Sequence, residues 1–309
     1  MYEYTNYLSR IPLIVVRRKA PFYYFRRMRL FHPLVLISFV FLLFGAEPAK
    51  KELSCREIVE RMLDTIKNIE TQTCNVKATE RIGERIFIAE SYIKINFYPR
   101  KIYFRNAKGI EVLWSEGSNK GNAYVHTPAI PLLTIDLDPF GSLMRKDQHH
   151  TIFDLGAPYI GTTVAQTILM APKEFDKHFA YAGTLTWNNR ECYQIVISYP
   201  EYKYIEYVTT KDETVTSIAK KLNTSDYKIR FKNDLSSYYG KIKAGKKLSI
   251  PTPYSNKGIL YIDKKTFVPV SVKVYDEEGL FEAYEFTNVK TNINFSDDEF
   301  KTSYKGYGF

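Results

Sequence analysis

The sequence predicts an α+β fold: one large curved antiparallel β-sheet covered by helices and interrupted by a small β-α-α-β unit. Three observations carry this. The chain holds 25 Tyr and 20 Phe among 309 residues, which suits strands better than helices. Alternation of period two recurs in short stretches punctuated by Gly and Pro. One amphipathic helical stripe precedes those stretches, and a segment rich in Pro and Gly interrupts them. With 45% hydrophobic and 25% charged residues, the composition is that of a folded protein. Three cysteines exclude a disulfide scaffold and a multi-zinc protein.

The N-terminus reads as targeting sequence. Residues 34–46 form a 13-residue apolar run. That is shorter than the roughly 20 residues of a membrane-spanning helix. It falls within the roughly 7–15 of a secretory apolar region. Arg26, Arg27 and Arg29 precede it, and Gly45 and Ala46 offer small residues for cleavage, with bulky Phe44 at the third position before the cut. Met28 is a conventional start, so residues 1–27 read as an over-extended gene start and 1–46 as a signal peptide. An uncleaved N-terminal membrane anchor is the alternative. No Cys follows the run directly, which argues against a lipoprotein anchor. Removing 1–46 leaves 37 basic and 33 acidic residues, a net charge of +4. Export permits a disulfide. Cys55, Cys74 and Cys192 allow at most one pair, and the sequence does not select it.

Ser54-Cys-Arg-Glu57 fits a capping box, and Ile58, Val59, Met62, Leu63, Ile66 and Ile69 follow at helical spacing. From Asn75 the period changes to two. Ile93, Ile95 and Phe97 share one face, with further strand-like pieces at 101–105, 111–115 and 122–126. Short connections imply antiparallel neighbours. Residues 127–180 carry eight Pro and Gly before 173 and read as helices and loops covering one face, with helical runs at 162–170 and 173–179. Strands resume at 183–187 and 191–199. The chain ends as a meander: 259–263, then 268–275 with Val270, Val272 and Val274 on one face, a turn at 276–279, and 281–289.

Residues 206–252 break this pattern as a strand, two short helices and a closing strand. The unit holds ten Lys/Arg and five Asp/Glu; the rest of the mature chain holds 27 and 28. Most of the mature basicity is therefore local, and the near-neutral remainder does not support a nucleic-acid protein. Tyr207-Val-Thr-Thr-Lys-Asp-Glu-Thr-Val through Ile218-Ala219, then Asn233-Asp-Leu235 and Ile242-Lys-Ala-Gly245-Lys-Lys-Leu248-Ser-Ile-Pro251, resemble a LysM domain over the whole unit. One position departs: Asp212-Glu213 stands where that family has Gly-Asp, and Gly is favoured where a turn needs φ > 0. The resemblance implies binding of N-acetylglucosamine polymers such as peptidoglycan. It also implies a groove formed by Lys211, Asp212, Glu213 and Thr214 on one loop and Ile242, Lys243, Ala244 and Gly245 on the other. N-acetyl groups need backbone partners and an apolar floor, which two loops meeting at a shallow groove can supply.

The host sequence has its own resemblance. Tyr98-Pro-Arg-Lys-Ile-Tyr-Phe-Arg105, Tyr261-Ile-Asp263 through Val268-Pro-Val270, Tyr284-Glu-Phe-Thr-Asn-Val289 and Ser296-Asp-Asp-Glu-Phe300 are similar to the LolA/LolB-like lipoprotein-carrier superfamily. With Glu111-Val-Leu-Trp-Ser-Glu-Gly117 and Leu137-Asp-Pro-Phe-Gly141, the order of motifs looks more closely like the domain of unknown function family 1571, exported proteins of Gram-negative bacteria. This implies an unclosed barrel with helices over its mouth and a periplasmic location. The organisation is then a signal peptide at 1–46, a discontinuous β domain at 47–205 and 253–309, and the 206–252 unit. Excision of that unit is expected to leave a folded host, with the unit's ends close together. The concave face either encloses a pocket of roughly 300–1,000 Å³ or is packed by aromatic side chains. The abundance of Tyr and Phe favours packing.

Asp147-Gln-His149-His150-Thr-Ile-Phe-Asp154 is the best catalytic or metal candidate, but its spacing matches no helical metal motif and it reads as a polar loop. Cys192 lies among apolar strand residues and reads as packing or half a disulfide. No nucleophile elbow, Cys/His amidase pattern or zincin motif is present. The expected protein is a non-enzyme without cofactor or bound metal: an exported envelope protein that binds peptidoglycan. The alternative is a periplasmic carrier of lipid or acylated protein with the 206–252 unit as wall tether.

Overall fold

A computed structural model of the protein describes residues 52–309, so the expectations for residues 1–46 lie outside the described residues. Eleven strands form one open sheet in the order β6-β5-β4-β3-β2-β1-β13-β12-β11-β8-β7, every pair antiparallel. The strands are β1 (Thr71–Ile82), β2 (Arg85–Asn96), β3 (Lys101–Asn106), β4 (Glu111–Ser115), β5 (Ala123–His126), β6 (Thr134–Leu137), β7 (Phe179–Trp187), β8 (Arg190–Ser198), β11 (Lys257–Asp263), β12 (Pro269–Asp276) and β13 (Gly279–Thr291). β9 (Lys203–Val208) and β10 (Lys247–Thr252) form a separate two-stranded sheet. The edges β6 and β7 do not pair, so the sheet stays unclosed. Register shifts in β1, β7, β11 and β12 mark bulges, which bend strands and increase their twist.

Helix α1 (Cys55–Lys67) begins at a formed capping box: Ser54 Oγ accepts from the Glu57 N–H, and the Glu57 carboxylate accepts from the Ser54 N–H. Its stripe of Ile58, Val59, Met62, Leu63 and Ile66 is buried. Helix α2 (Ala157–Met170) crosses it, starting five residues before the predicted run because Pro158 suits a first helical turn. The predicted helix at 173–179 is shorter. A 3₁₀ turn at Pro172–Glu174 leads into α3 (Phe175–His178), and Phe179 already begins β7. β6 falls within the stretch read from sequence as helices and loops; as a four-residue edge strand it has too few residues to show a period. β1 starts at Thr71 rather than Asn75, since Thr71, Gln72, Thr73 and Cys74 are all buried and leave no alternation to read.

The sheet is packed where α1 and α2 lie on it. Ile93, Ile95, Ile58, Val59 and Met62 have 0% exposure. A side chain without accessible surface borders no space large enough for water, so no acyl-sized cavity adjoins these residues. Gly161 of α2 is part of this fit: a Cβ placed there would lie 2.8 Å from Ile66 Cγ2 of α1. Gly161→Val should therefore force the helices apart and destabilise by about 1–3 kcal/mol. Thermal denaturation would measure this, and an unchanged midpoint would mean the contact is loose.

The three cysteines are free. Burial raises the thiol pKa to about 11 for Cys55, about 12 for Cys74 and about 11 for Cys192, so none is poised as a nucleophile.

Between β9 and β10 lie α4 (Val215–Leu222) and α5 (Asp226–Lys232). Lys203 pairs with Thr252, so the chain enters and leaves this β-α-α-β segment at one place. Val215, Ile218, Ala219, Ile229, Leu248 and Ile250 form its own buried cluster. The segment is nevertheless joined to the large sheet. Tyr227 packs with Val274 and Phe281 in a shared cluster, the Gly83 N–H donates to Tyr227 Oη at 2.8 Å, and buried Lys228 pairs with Asp276 at 3.0 Å. Excising 206–252 would uncover Phe281 and remove one of the cations that hold Asp276, so a host that still folds should be less stable without the unit.

Candidate functional site

The two loops named from sequence meet at one end of the β9–β10 sheet. The Ile242 N–H donates to the Glu213 carbonyl at 2.8 Å, and the Gly245 N–H to the Thr209 carbonyl at 2.8 Å. Thr209 is the hinge: its hydroxyl donates to the Lys243 carbonyl at 2.7 Å and accepts from the Lys246 N–H at 2.9 Å. Asp212 adopts φ 65°, the left-handed conformation for which the resembled family carries Gly. Asp is among the residues that tolerate it, and Lys241 Nζ holds its carboxylate at 2.6 Å. The turn is thus made without the glycine.

The eight residues divide by role. Glu213 turns inward, where its carboxylate accepts from the Tyr207 hydroxyl at 2.6 Å, the Thr210 N–H at 2.7 Å and Lys221 at 3.3 Å. Partial burial would raise its pKa, but these donors outweigh that and lower it to about 2. Thr214 caps α4 by accepting from the Ser217 N–H at 3.1 Å. Ile242 is half-buried against the unit's core. Lys211, Asp212, Lys243, Ala244 and Gly245 remain exposed, with Lys241 and Lys246 beside them. The outer face of the loop pair is therefore basic.

A second polar centre lies inside the molecule. The 147–154 segment is no solvated loop: His149 is 1% exposed and Thr151 is buried. Thr151 and Asp154 cap each other around a 3₁₀ turn, which aims both histidines inward. His149 Nδ1 lies 2.8 Å and His150 Nε2 3.1 Å from Glu282 Oε2, and the Tyr254 hydroxyl donates to Glu282 Oε1 at 2.7 Å. The His149 N–H donates to Glu80 Oε2 at 3.0 Å, and the Tyr284 hydroxyl also donates to Glu80. Tyr159 Oη lies 3.2 Å from His150 Nδ1. Glu80 and Glu282 stand directly opposite each other on β1 and β13, a pairing that destabilises like charges unless donors intervene. The histidines and tyrosines supply those donors.

Electrostatics follow the geometry. Burial alone would lower the His150 pKa, but the Glu282 carboxylate outweighs it and raises the pKa to about 9. Burial would raise Glu282, yet the attraction of His150 and the hydrogen bonds from His149 and His150 hold it far below the usual carboxylate range. Such a carboxylate is a poor base. Glu80, His149 and Glu282 offer ligand atoms within 4.8 Å of one another, a spacing able to hold a metal ion, although protein donors already occupy those oxygens. The arrangement clamps the segment, the sheet and α5 together; Arg145 extends it by donating to the His149 carbonyl at 2.8 Å and pairing with Asp226 at 3.2 Å.

Sequence reasoning singled out His149 and His150 but not Glu80, Glu282, Tyr159, Tyr254 or Tyr284. A signal existed: Glu80 shares the period of Val76 and Ala78, and Glu282 that of Tyr284 and Phe286, so both acids stand at core-facing positions.

A family model described as a protein of unknown function (DUF1571) matches residues 69–231. The chain belongs to that family. The match runs from β1 into α5 and so includes β9, α4 and nearly all of α5 of the β-α-α-β segment. No curated protein matches the chain. Among solved structures, MucB is similar at 11% identity and TM-score 0.38, covering 80% of this chain and 62% of that one, so the chain spans about three-fifths of MucB. The lipoprotein LppX of Mycobacterium tuberculosis is similar at 12% identity and TM-score 0.38, over 81% of this chain and 100% of that one. A LolA superfamily protein of Nitrosomonas europaea is similar at 9% identity and TM-score 0.31, over 81% of this chain and 98% of that one. No helix among the described residues is long and apolar enough to cross a membrane.

Proposed function

We propose that the protein is an exported, non-catalytic binding protein of the cell envelope that holds N-acetylglucosamine glycan, as in peptidoglycan, at the paired loops 209–214 and 240–246. One observation carries the reading: the two loops are laced together by backbone hydrogen bonds through Thr209, Glu213 and Ile242 while Lys211, Lys243, Ala244 and Gly245 face solvent. Glycan N-acetyl groups would meet peptide N–H and C=O groups there, and the surrounding lysines would attract the acidic stem peptides. The bent sheet is the scaffold, and the buried His–Glu–Tyr centre fixes the binding segment to it.

A second reading, a carrier of lipid or acylated protein, rests on the similar structures described as lipoprotein or LolA superfamily proteins. For an acyl chain to lie under α1 and α2, these helices would first have to separate from the sheet. One experiment addresses both. The purified protein is incubated with insoluble peptidoglycan and sedimented, and a parallel sample is extracted for lipid. It should pellet; Ala244→Glu, at an exposed loop position, should abolish pelleting with the melting temperature unchanged. Equal pelleting of wild type and variant would remove the loops from the binding site. Stoichiometric lipid in the extract without pelleting would favour the carrier.

A further inference from the structure

A separate cluster stands at the β7–β8 side of the sheet, away from both centres above. Glu174 ends the 3₁₀ turn before α3, His178 ends α3, and Glu201 lies in the turn after β8. His178 Nε2 lies 3.1 Å from Glu174 Oε2 and 3.4 Å from Glu201 Oε1. The ring itself is locked. Its Nδ1 faces the Ser198 carbonyl at 2.8 Å, Tyr199 stacks on it with centroids 4.1 Å apart, and the side chain is only 3% exposed. α3 is held in turn by Phe175, which stacks on Phe179 and carries Arg56 of α1 over its ring at 4.2 Å.

A backbone carbonyl only accepts, so the His178 hydrogen sits on Nδ1. In the neutral ring, Nε2 then presents a lone pair to two carboxylate oxygens. Three electron-rich atoms then converge on one spot, a charge that a cation between them, or a second proton on Nε2, balances. A histidine whose far nitrogen donates to a carbonyl is the usual second-shell arrangement of a metal ligand. The spacing suits it too: bonds of about 2.0–2.2 Å in a tetrahedral centre place ligand atoms roughly 3.3 Å apart. Both glutamates are half open to solvent, which gives an ion a path and leaves room for water.

We propose that Glu174, His178 and Glu201 form a binding site for a divalent zinc-type cation, with three protein ligands and a solvent-open fourth position. Lys177 is the built-in competitor. Its ammonium lies 3.3 Å from Glu174 and 3.2 Å from Glu201, on a side chain exposed enough to swing away. The site therefore takes an ion at the expense of that contact.

The test is isothermal titration of the chelator-treated protein with zinc chloride, together with the visible spectrum of the cobalt(II) form. One ion should bind per chain, and cobalt should give the absorption of a low-coordinate N/O site. Glu174→Gln and Glu201→Gln, both at exposed positions, should each weaken binding by about tenfold or more. Lys177→Ala should tighten it, which no loss of folding could mimic. Absence of zinc binding, or binding that neither glutamine variant changes, would overturn the proposal. Tightening absent in Lys177→Ala, with both glutamine variants silent, would assign any bound zinc to another place in the chain.

Discussion

Glu282→Ala should lower the stability of the protein by about 3–5 kcal/mol, the range for breaking a buried ion pair from one side. Four groups lose their acceptor at once: His149, His150, Tyr254 and the weaker contact from Tyr284 at 3.4 Å. Glu282 is 3% exposed, so water cannot replace the carboxylate without opening the sheet. At about 2–4 °C per kcal/mol for a unit of this size, the melting temperature should fall by on the order of 10 °C. Glu282→Gln should lose less, since its amide oxygen still accepts. Calorimetry of the two variants measures the difference. A loss below about 1 kcal/mol for the alanine variant would mean that the centre does not hold the sheet to the 147–154 segment and α5.

Stability should also fall as pH rises from 6 to 9. The folded pKa of His150, about 9, lies above its unfolded value of about 6.5. Its contribution is fully present below the unfolded value and is lost as pH climbs through the folded one. Glu282 is lowered instead, so its contribution is present above about 4.5, the ordinary value, and lost as pH falls towards the depressed one. Glu80, Asp154, Tyr159, Tyr254 and Tyr284 face the same pair. Burial holds the Tyr254 and Tyr284 hydroxyls well above the usual range, so they stay neutral through this window. The contribution of this centre should therefore be greatest near pH 5–6 and decline by on the order of 2 kcal/mol by pH 9. Denaturant titrations at pH 6 and pH 9 check the slope, and His150→Gln should flatten it. Equal stability at both pH values in the wild type would show that His150 is not charged in the folded state.

Much of the architecture was legible because it depends on local chemistry. Ser54 and Glu57 announce α1, since a capping box needs only residues three apart. The β12–β13 hairpin is visible because Val270, Val272 and Val274 alternate and a turn follows. The loops of the 206–252 unit were named from the LysM resemblance rather than from local patterning, and they do meet. β6 and the start of β1 were not legible. One is too short for a period, and the other is buried on both faces.

Local patterning thus determined the helices, most strands, the open antiparallel class and the strand-helix-helix-strand order between β9 and β10, because period and turn chemistry act between neighbours. The tertiary structure alone decided what lies together across long separations. Glu80 and Glu282 are about two hundred positions apart, and His149 falls between them in sequence. No window of sequence contains that contact; it exists because β1 and β13 pair edge to edge. The same holds for Lys228, whose burial beside Asp276 follows from where α5 lands rather than from any property of its own helix. Burial then inverts the meaning of these residues. A charged side chain that reads as solvated surface in a one-dimensional pattern becomes, once desolvated and paired, a group that holds the fold together.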